Sequence, residues 1–168
     1  MGVVRGMAGV LGALVLLAGC GSGGDGEASG PPPTTADGAA AVGTRDRGGE
    51  TYLTDADGRA LYLWVADTGA ESTCTGPCAD AWPPLLTDGG STSEGAAKSQ
   101  ALGTTSRADG ATQVTYDGHP LYYYVEDQGS DVSGQGSDGF GAKWWLVQPS
   151  GQAITSDLSG GGGGGYGY

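Results

Sequence analysis

Asp57-Gly58-Arg59-Ala60-Leu61-Tyr62-Leu63-Trp64-Val65-Ala66-Asp67 lies over Asp117-Gly118-His119-Pro120-Leu121-Tyr122-Tyr123-Tyr124-Val125-Glu126-Asp127 when the chain is shifted by 60 residues. Six of the eleven positions are identical, and Leu63/Tyr123 and Trp64/Tyr124 stay large. Tryptophans follow both copies at comparable distance, in Asp80-Ala81-Trp82-Pro83-Pro84 and in Lys143-Trp144-Trp145-Leu146. The chain therefore contains one unit twice, and each copy can be read separately.

In each copy a β-branched and aromatic run, Thr51 to Thr54 or Gln113 to Tyr116, leads into Asp-Gly. That dipeptide supplies the positive φ angles of a tight hairpin turn. Returning strands are expected over Arg59 to Val65 and His119 to Val125. Pro120 lacks a backbone donor and belongs at a strand start or sheet edge. Leu102 to Ser106, before Asp109-Gly110, and Lys143 to Ile154, around Pro149-Ser150-Gly151, suggest two more hairpins. No window keeps a 3.6-residue apolar period, and the best helical candidate is one turn at Cys78 to Trp82. The fold class is mostly β: a small antiparallel domain of two homologous hairpin-containing repeats.

Residues two apart in a strand share a face. Tyr62 and Trp64 therefore stand together, as do Tyr122 and Tyr124, with Leu61, Leu63 and Val65 opposite. Both faces are apolar or aromatic, so both should be covered, most simply by packing one repeat's sheet on the other's. Asp67 and Asp127 fall just past the strand ends, where an Asp bonds the N–H groups of the following loop. A pseudo-twofold packing could also bring these two carboxylates together.

Composition sets the outer limits. Gly21 to Gly49 is mostly Gly, Ala, Ser, Thr, Pro and Asp with almost no large apolar residue, and reads as a disordered tether. Residues 159–168 form a Gly-rich tail. The organisation expected is a leader over 1–19, lipidated Cys20 and tether over 20–49, and a β domain over 50–158. Repeat one covers about 50–87 and repeat two about 101–155.

At the start, Arg5 precedes a run of 12 small or apolar residues, Met7 to Ala18, too short to span a bilayer but right for a signal peptide. Leu17-Ala18-Gly19-Cys20 resembles the bacterial lipobox, which implies a diacylglyceryl thioether on Cys20 and an anchor facing the extracytoplasmic side. Arg5 leaves with the leader, so the seven basic residues fall to six against 19 acidic, a formal charge of −13. Such a surface repels phosphate backbones and anionic headgroups, which argues against nucleic-acid binding and leaves membrane contact to the lipid.

Cys74 and Cys78 remain after lipidation, in a compartment where disulfides persist. A structural bridge across Gly76-Pro77 is the first reading and a redox-active pair the second. Metal comes last, because a zinc site wants further Cys or His and His119 is the sole histidine.

Tyr62-x-Trp64-x-x-Asp67 and Tyr122-x-Tyr124-x-x-Asp127 resemble the Y-x-[FWY]-x-x-D signature of a bacterial group of tandem-repeat secreted lipoproteins. Cys74-x3-Cys78-x3-Trp82-Pro83-Pro84 and Gly134-Gln135-Gly136 are similar to that group too. The resemblance covers about Tyr52 to Pro149 and implies a secreted repeat without an established activity. The acidic Gly/Ser loop Asp88 to Ala97 and the polyglycine tail depart from the group.

Other constellations read as structure. His119 beside Asp117 is an exposed turn residue with no nucleophile near it. Gly134-Gln135-Gly136-Ser137-Asp138-Gly139 has the letters of a dinucleotide loop, but Lys143-Trp144-Trp145 follows it as a strand, so it is a flexible loop. Asp55-Ala56-Asp57-Gly58 opens like a calcium loop and lacks its later ligands. Four tryptophans and eight tyrosines against one phenylalanine give rings with polar handles, suited either to a core or to a groove for an envelope glycan, peptide or protein. The expectation is a non-enzymatic binding or envelope-interaction module with no cofactor; the alternative is a redox or electron-transfer accessory using Cys74, Cys78 and aromatic residues.

Overall fold

The computed structural model describes residues 38–158. The expected leader, Cys20, most of the expected tether and the Gly-rich tail lie outside the described residues.

The elements run β1 (Ala40–Arg47), β2 (Glu50–Thr54), β3 (Tyr62–Trp64), α1 (Pro77–Ala81), β4 (Ser91–Ser93), β5 (Leu102–Ser106), β6 (Thr112–Tyr116), β7 (His119–Pro120), β8 (Asp138–Gly139) and β9 (Ala142–Leu146). They form three small sheets, ordered β2-β1-β4, β3-β9-β8 and β5-β6-β7. All pairings are antiparallel except β1 with β4. The expected mostly β fold of two repeats is observed, and α1 stands at the expected helical turn.

The hairpin turns follow their residues. Asp117 and Gly118 both take positive φ, 48° and 80°, between β6 and β7. The first copy uses a longer loop, closed by Asp55 N–H donating to Arg59 O, in which only Gly58 has positive φ. The Arg45 guanidinium crosses Gly58 so closely that a Cβ there would sit 2.2 Å from it.

Three expectations are corrected. The domain begins before residue 50: Ala40 to Gly49 is not tether, because β1 is the central strand of its sheet and Ala40, Ala41 and Val42 are buried. Small side chains there look like linker composition, yet Ala40 to Val42 pair with β4 and Gly43 to Arg47 with β2. The acidic segment after Asp88 likewise holds β4. The returning strands are shorter than expected, since the chain turns at Asp67 N–H to Trp64 O and Asp127 N–H to Tyr124 O. Val65 and Val125 lie beyond those strands and are half exposed, at 51% and 49%.

The repeats do not stack as two complete sheets; they interlace. β3 of repeat one pairs with β9 of repeat two through Tyr62–Leu146, Leu63–Trp145 and Trp64–Trp144. Reciprocally, Leu85 N–H donates to Leu121 O and Tyr123 N–H to Pro83 O. Leu53 N–H reaches Val147 O while Val114 N–H reaches Leu85 O, both at 2.8 Å. At the centre Tyr62 and Tyr122 exchange both backbone bonds, at 2.8 and 2.9 Å. An approximate twofold axis passes between them, and the contact is self-complementary like an isologous interface.

Alternation along the strands divides the core into two clusters. Tyr62, Trp64, Tyr122, Trp82 and Trp144 share one with the two cysteines; Leu61, Leu63, Leu121 and Tyr123 share the other with Leu53, Leu85 and Val114. Each cluster draws on both repeats, so a repeat alone cannot close either. Peptides covering 38–98 and 99–158 should each be unfolded by circular dichroism and regain β signal when mixed in equal amounts. A half that folds as a monomer on its own would contradict this.

Candidate functional site

The axis at Tyr62 and Tyr122 places the signature residues in a crossed arrangement. Tyr62 OH donates to Asp127 Oδ2 at 2.6 Å, and Tyr122 OH donates to Asp67 Oδ2 at 2.5 Å. Each tyrosine therefore closes on the aspartate of the other repeat. The second oxygen of each carboxylate faces its own loop. Asp67 Oδ1 accepts from Thr73 N–H and Thr73 Oγ1, at 2.9 and 2.7 Å. Asp127 Oδ1 accepts from Ser133 N–H and Ser133 Oγ, at 2.8 and 2.5 Å.

Both carboxylates are buried, at 3% and 7% exposure. A buried carboxylate is tolerated when donors saturate it. Here three donors meet each one, and the expected bond to the following loop is present in both copies. The two carboxylates are not an acid–base dyad, because each is engaged by the opposite phenol. Burial, then the neighbouring Asp127 charge, pushes the Tyr62 hydroxyl far above the ordinary phenol range. Burial and the hydrogen bond to Asp67 do the same at Tyr122.

The surroundings of Tyr122 leave no mark in the sequence pattern. Arg107, 5% exposed, donates through Nη1 to Ser72 Oγ and Gln113 Oε1, both at 2.6 Å, and through Nη2 to Cys74 O at 2.7 Å. Ser72 lies 2.7 Å from the Tyr122 hydroxyl. Since Tyr122 donates to Asp67, Ser72 donates to Tyr122, and a directed chain runs from Arg107 through Ser72 and Tyr122 to Asp67. Val132 occupies the place of Ser72 in repeat two, so the chain has no counterpart at Tyr62. Thr73 and Ser133 carried a signal in the sequence: a hydroxyl residue six places after both signature aspartates.

Cys74 and Cys78 form the disulfide, which closes the loop after Asp67 against the aromatic cluster. Cys74 is fully buried.

The rings form a column. Trp64 stacks on Trp144 at 5.2 Å between centroids, Trp144 on Trp82 at 4.0 Å, and Trp82 on Tyr124 at 4.4 Å. Tyr62 meets Trp82 edge-on at 5.4 Å and Tyr122 meets Trp144 at 5.2 Å. The twofold exchanges Trp64 with Tyr124 and Trp82 with Trp144. Gly134 lies on this column, where a Cβ would come within 2.8 Å of Trp82. The Gly-x-Gly segment is thus a packed loop rather than a flexible one: Gly136 N–H donates to Trp144 O and Trp144 N–H to Ser137 O.

The remaining candidates stay structural. His119 is half-buried rather than exposed, with Nδ1 buried and without a hydrogen-bond partner. Asp55 Oδ1 caps its turn by accepting from Asp57 N–H and Arg59 N–H.

A family model described as a secreted repeat of unknown function matches residues 41–86 and 103–148, one match on each repeat. The chain belongs to this family of secreted repeats. The matches divide the chain where the twofold does, and membership puts the domain outside the cytoplasm. No curated protein and no solved structure matches the chain. No helix among the described residues is long and apolar enough to cross a membrane.

Tyr62→Phe and Tyr122→Phe should each cost about 2 kcal/mol, the scale of a hydrogen bond to a charged group. In double-mutant cycles by urea denaturation, Tyr62→Phe should couple to Asp127→Asn and add independently to Asp67→Asn. Equal coupling to both aspartates would remove the crossed arrangement.

Stability should also depend on alkaline pH. Tyrosine in the unfolded chain ionises near about pH 10, whereas Tyr62, Tyr122 and Tyr123 hold their protons well above that when folded. Above that point the native state binds more protons than the unfolded one. Stability is therefore level below about pH 10 and falls as pH rises further. Tyr62→Phe should flatten that fall in urea melts; an unchanged slope would contradict it.

Proposed function

We propose that this is a non-catalytic module of the bacterial cell envelope, tethered to the outer face of the membrane by lipid on Cys20 and presenting its loops to an envelope partner. The supporting observation is the closure of the signature on itself. Tyr62, Asp127, Tyr122 and Asp67 spend their polar atoms on one another and on their own loops, and Trp64 and Tyr124 end the ring column. A signature used this way builds a scaffold and leaves recognition to the surface.

Burial of Trp82 and Trp144 withdraws the rings that a glycan would stack on, so a peptide or protein suits this surface better. A cleft of about 320 Å³ lined by Arg47, Asp131, Ser133, Gln135 and Leu158 offers charges of both signs and polar groups of the kind a peptide backbone engages. With a formal charge of −13, the favoured partner is basic.

In detergent phase separation of the full-length chain from its bacterial host, the wild type should enter the detergent phase and Cys20→Ala the aqueous phase. Retention of Cys20→Ala with detergent would overturn the anchoring. The other reading, a redox couple at Cys74 and Cys78, requires an accessible disulfide. The buried bridge should resist alkylation in mild reductant while folded, and its loss in Cys74→Ser/Cys78→Ser should cost about 2 kcal/mol. Ready reversible reduction of the native protein would favour the redox reading.

A further inference from the structure

We propose that the ring column is a one-electron relay, with Tyr62 and Tyr122 as the sites where an oxidising equivalent comes to rest. Four stacked rings run without a break from Trp64 to Tyr124 at 4.0 to 5.2 Å, and two tyrosines touch the central pair edge-on. Tyr124 is only partly buried and gives the column an end near solvent. Its hydroxyl donates to Glu126 Oε2 at the surface.

Oxidising a phenol is costly unless its proton has somewhere to go. Tyr62 and Tyr122 each have a carboxylate oxygen already in place, at 2.6 and 2.5 Å. An outer-sphere one-electron oxidant takes an electron at the Tyr124 end and is itself reduced by one electron. Electrons then pass along the column until Tyr62 supplies one. There the O–H bond breaks, the proton moves to Asp127 Oδ2, and a neutral tyrosyl faces a neutral carboxylic acid. A one-electron reductant reverses the sequence, returning the proton to the phenol. The pair thus passes from a single negative charge on Asp127 to none, and oxidation leaves no positive charge on Tyr62.

The two ends are not equivalent. At Tyr122 the proton would neutralise Asp67, which the Arg107–Ser72–Tyr122 chain ties to a buried guanidinium. Among the described residues no such chain reaches Tyr62: Val132 replaces Ser72, and Arg47, 60 residues before Arg107, donates to Leu158 O instead. Tyr62 with Asp127 is therefore the preferred resting place. This assignment is independent of the anchoring on Cys20.

The test is flash oxidation of the full chain by photogenerated tris(bipyridine)ruthenium(III), followed by transient absorption, in a Tyr166→Phe/Tyr168→Phe background that silences the tail tyrosines. A tryptophan radical should form first and decay into a tyrosyl, more slowly in deuterated water. Tyr62→Phe should lengthen the tryptophan radical's lifetime several-fold, and Tyr122→Phe should do so less. Asp127→Asn keeps the size of the side chain and removes the base, and should act like Tyr62→Phe. With no core substitution at all, the tyrosyl should react with ascorbate several-fold more slowly than a radical on free tyrosine. A lifetime unchanged by Tyr62→Phe and Asp127→Asn, or a tyrosyl quenched as fast as free tyrosine, would overturn the relay.

Discussion

Two buried carboxylates govern this fold. Asp67 and Asp127 sit inside a protein core, where an unpaired charge costs several kcal/mol. Each is made acceptable by a hydroxyl from the opposite repeat and two donors from its own loop. Removing either repeat would strip the remaining carboxylate of a donor and the remaining signature tyrosine of its acceptor. The strand pairing carries the same requirement: β3 finds its partner in β9, and the Pro83–Leu85 segment finds its partner in Leu121–Tyr123. Hydrogen bonding and ring packing therefore make the same demand, that two copies be present and interlaced.

This explains why the signature has the spacing it does. The tyrosine and the third residue share a strand face, so one phenol reaches the axis while the next ring joins the column. The aspartate comes three residues after that ring, past the point where the chain turns, which lets it face back to the axis. A twofold clasp needs such a constellation twice, and both copies are intact.

Much of this was legible in the residues. The duplication, the Asp-Gly hairpins, the edge position of Pro120, the disulfide and the pairing of Asp67 and Asp127 with their loops all follow from local chemistry and period-two alternation. The interlacing did not, because alternation tells which face a ring occupies and not which strand lies beside it. β1 was hidden for another reason. Ala40, Ala41 and Val42 carry too little apolar bulk to stand out in a Gly/Ala-rich stretch, and the strand they pair with is the distant β4. Arg107 was invisible because two of its partners, Ser72 and Cys74, lie in the loop of the other repeat, more than 30 residues away.

The departures from symmetry show what the fold demands beyond the clasp. The loop after each aspartate must be held so that its Thr73 or Ser133 donors stay aimed at the carboxylate. The loop of repeat one is held by the Cys74–Cys78 bridge and by Arg107, supplied by repeat two and bonded to Cys74 O. The loop of repeat two has neither. Instead Gln135 donates to Ile154 O and Ser156 O and accepts from Leu146 N–H, while Gly134 lets the backbone lie flat on Trp82. One copy fixes its loop covalently and with a buried cation, the other with an amide and ring contact. The clasp and its Thr73 or Ser133 donors are the same at both ends while the means of holding each loop differ, so the geometry at the carboxylates, and not one particular support, is what the fold requires.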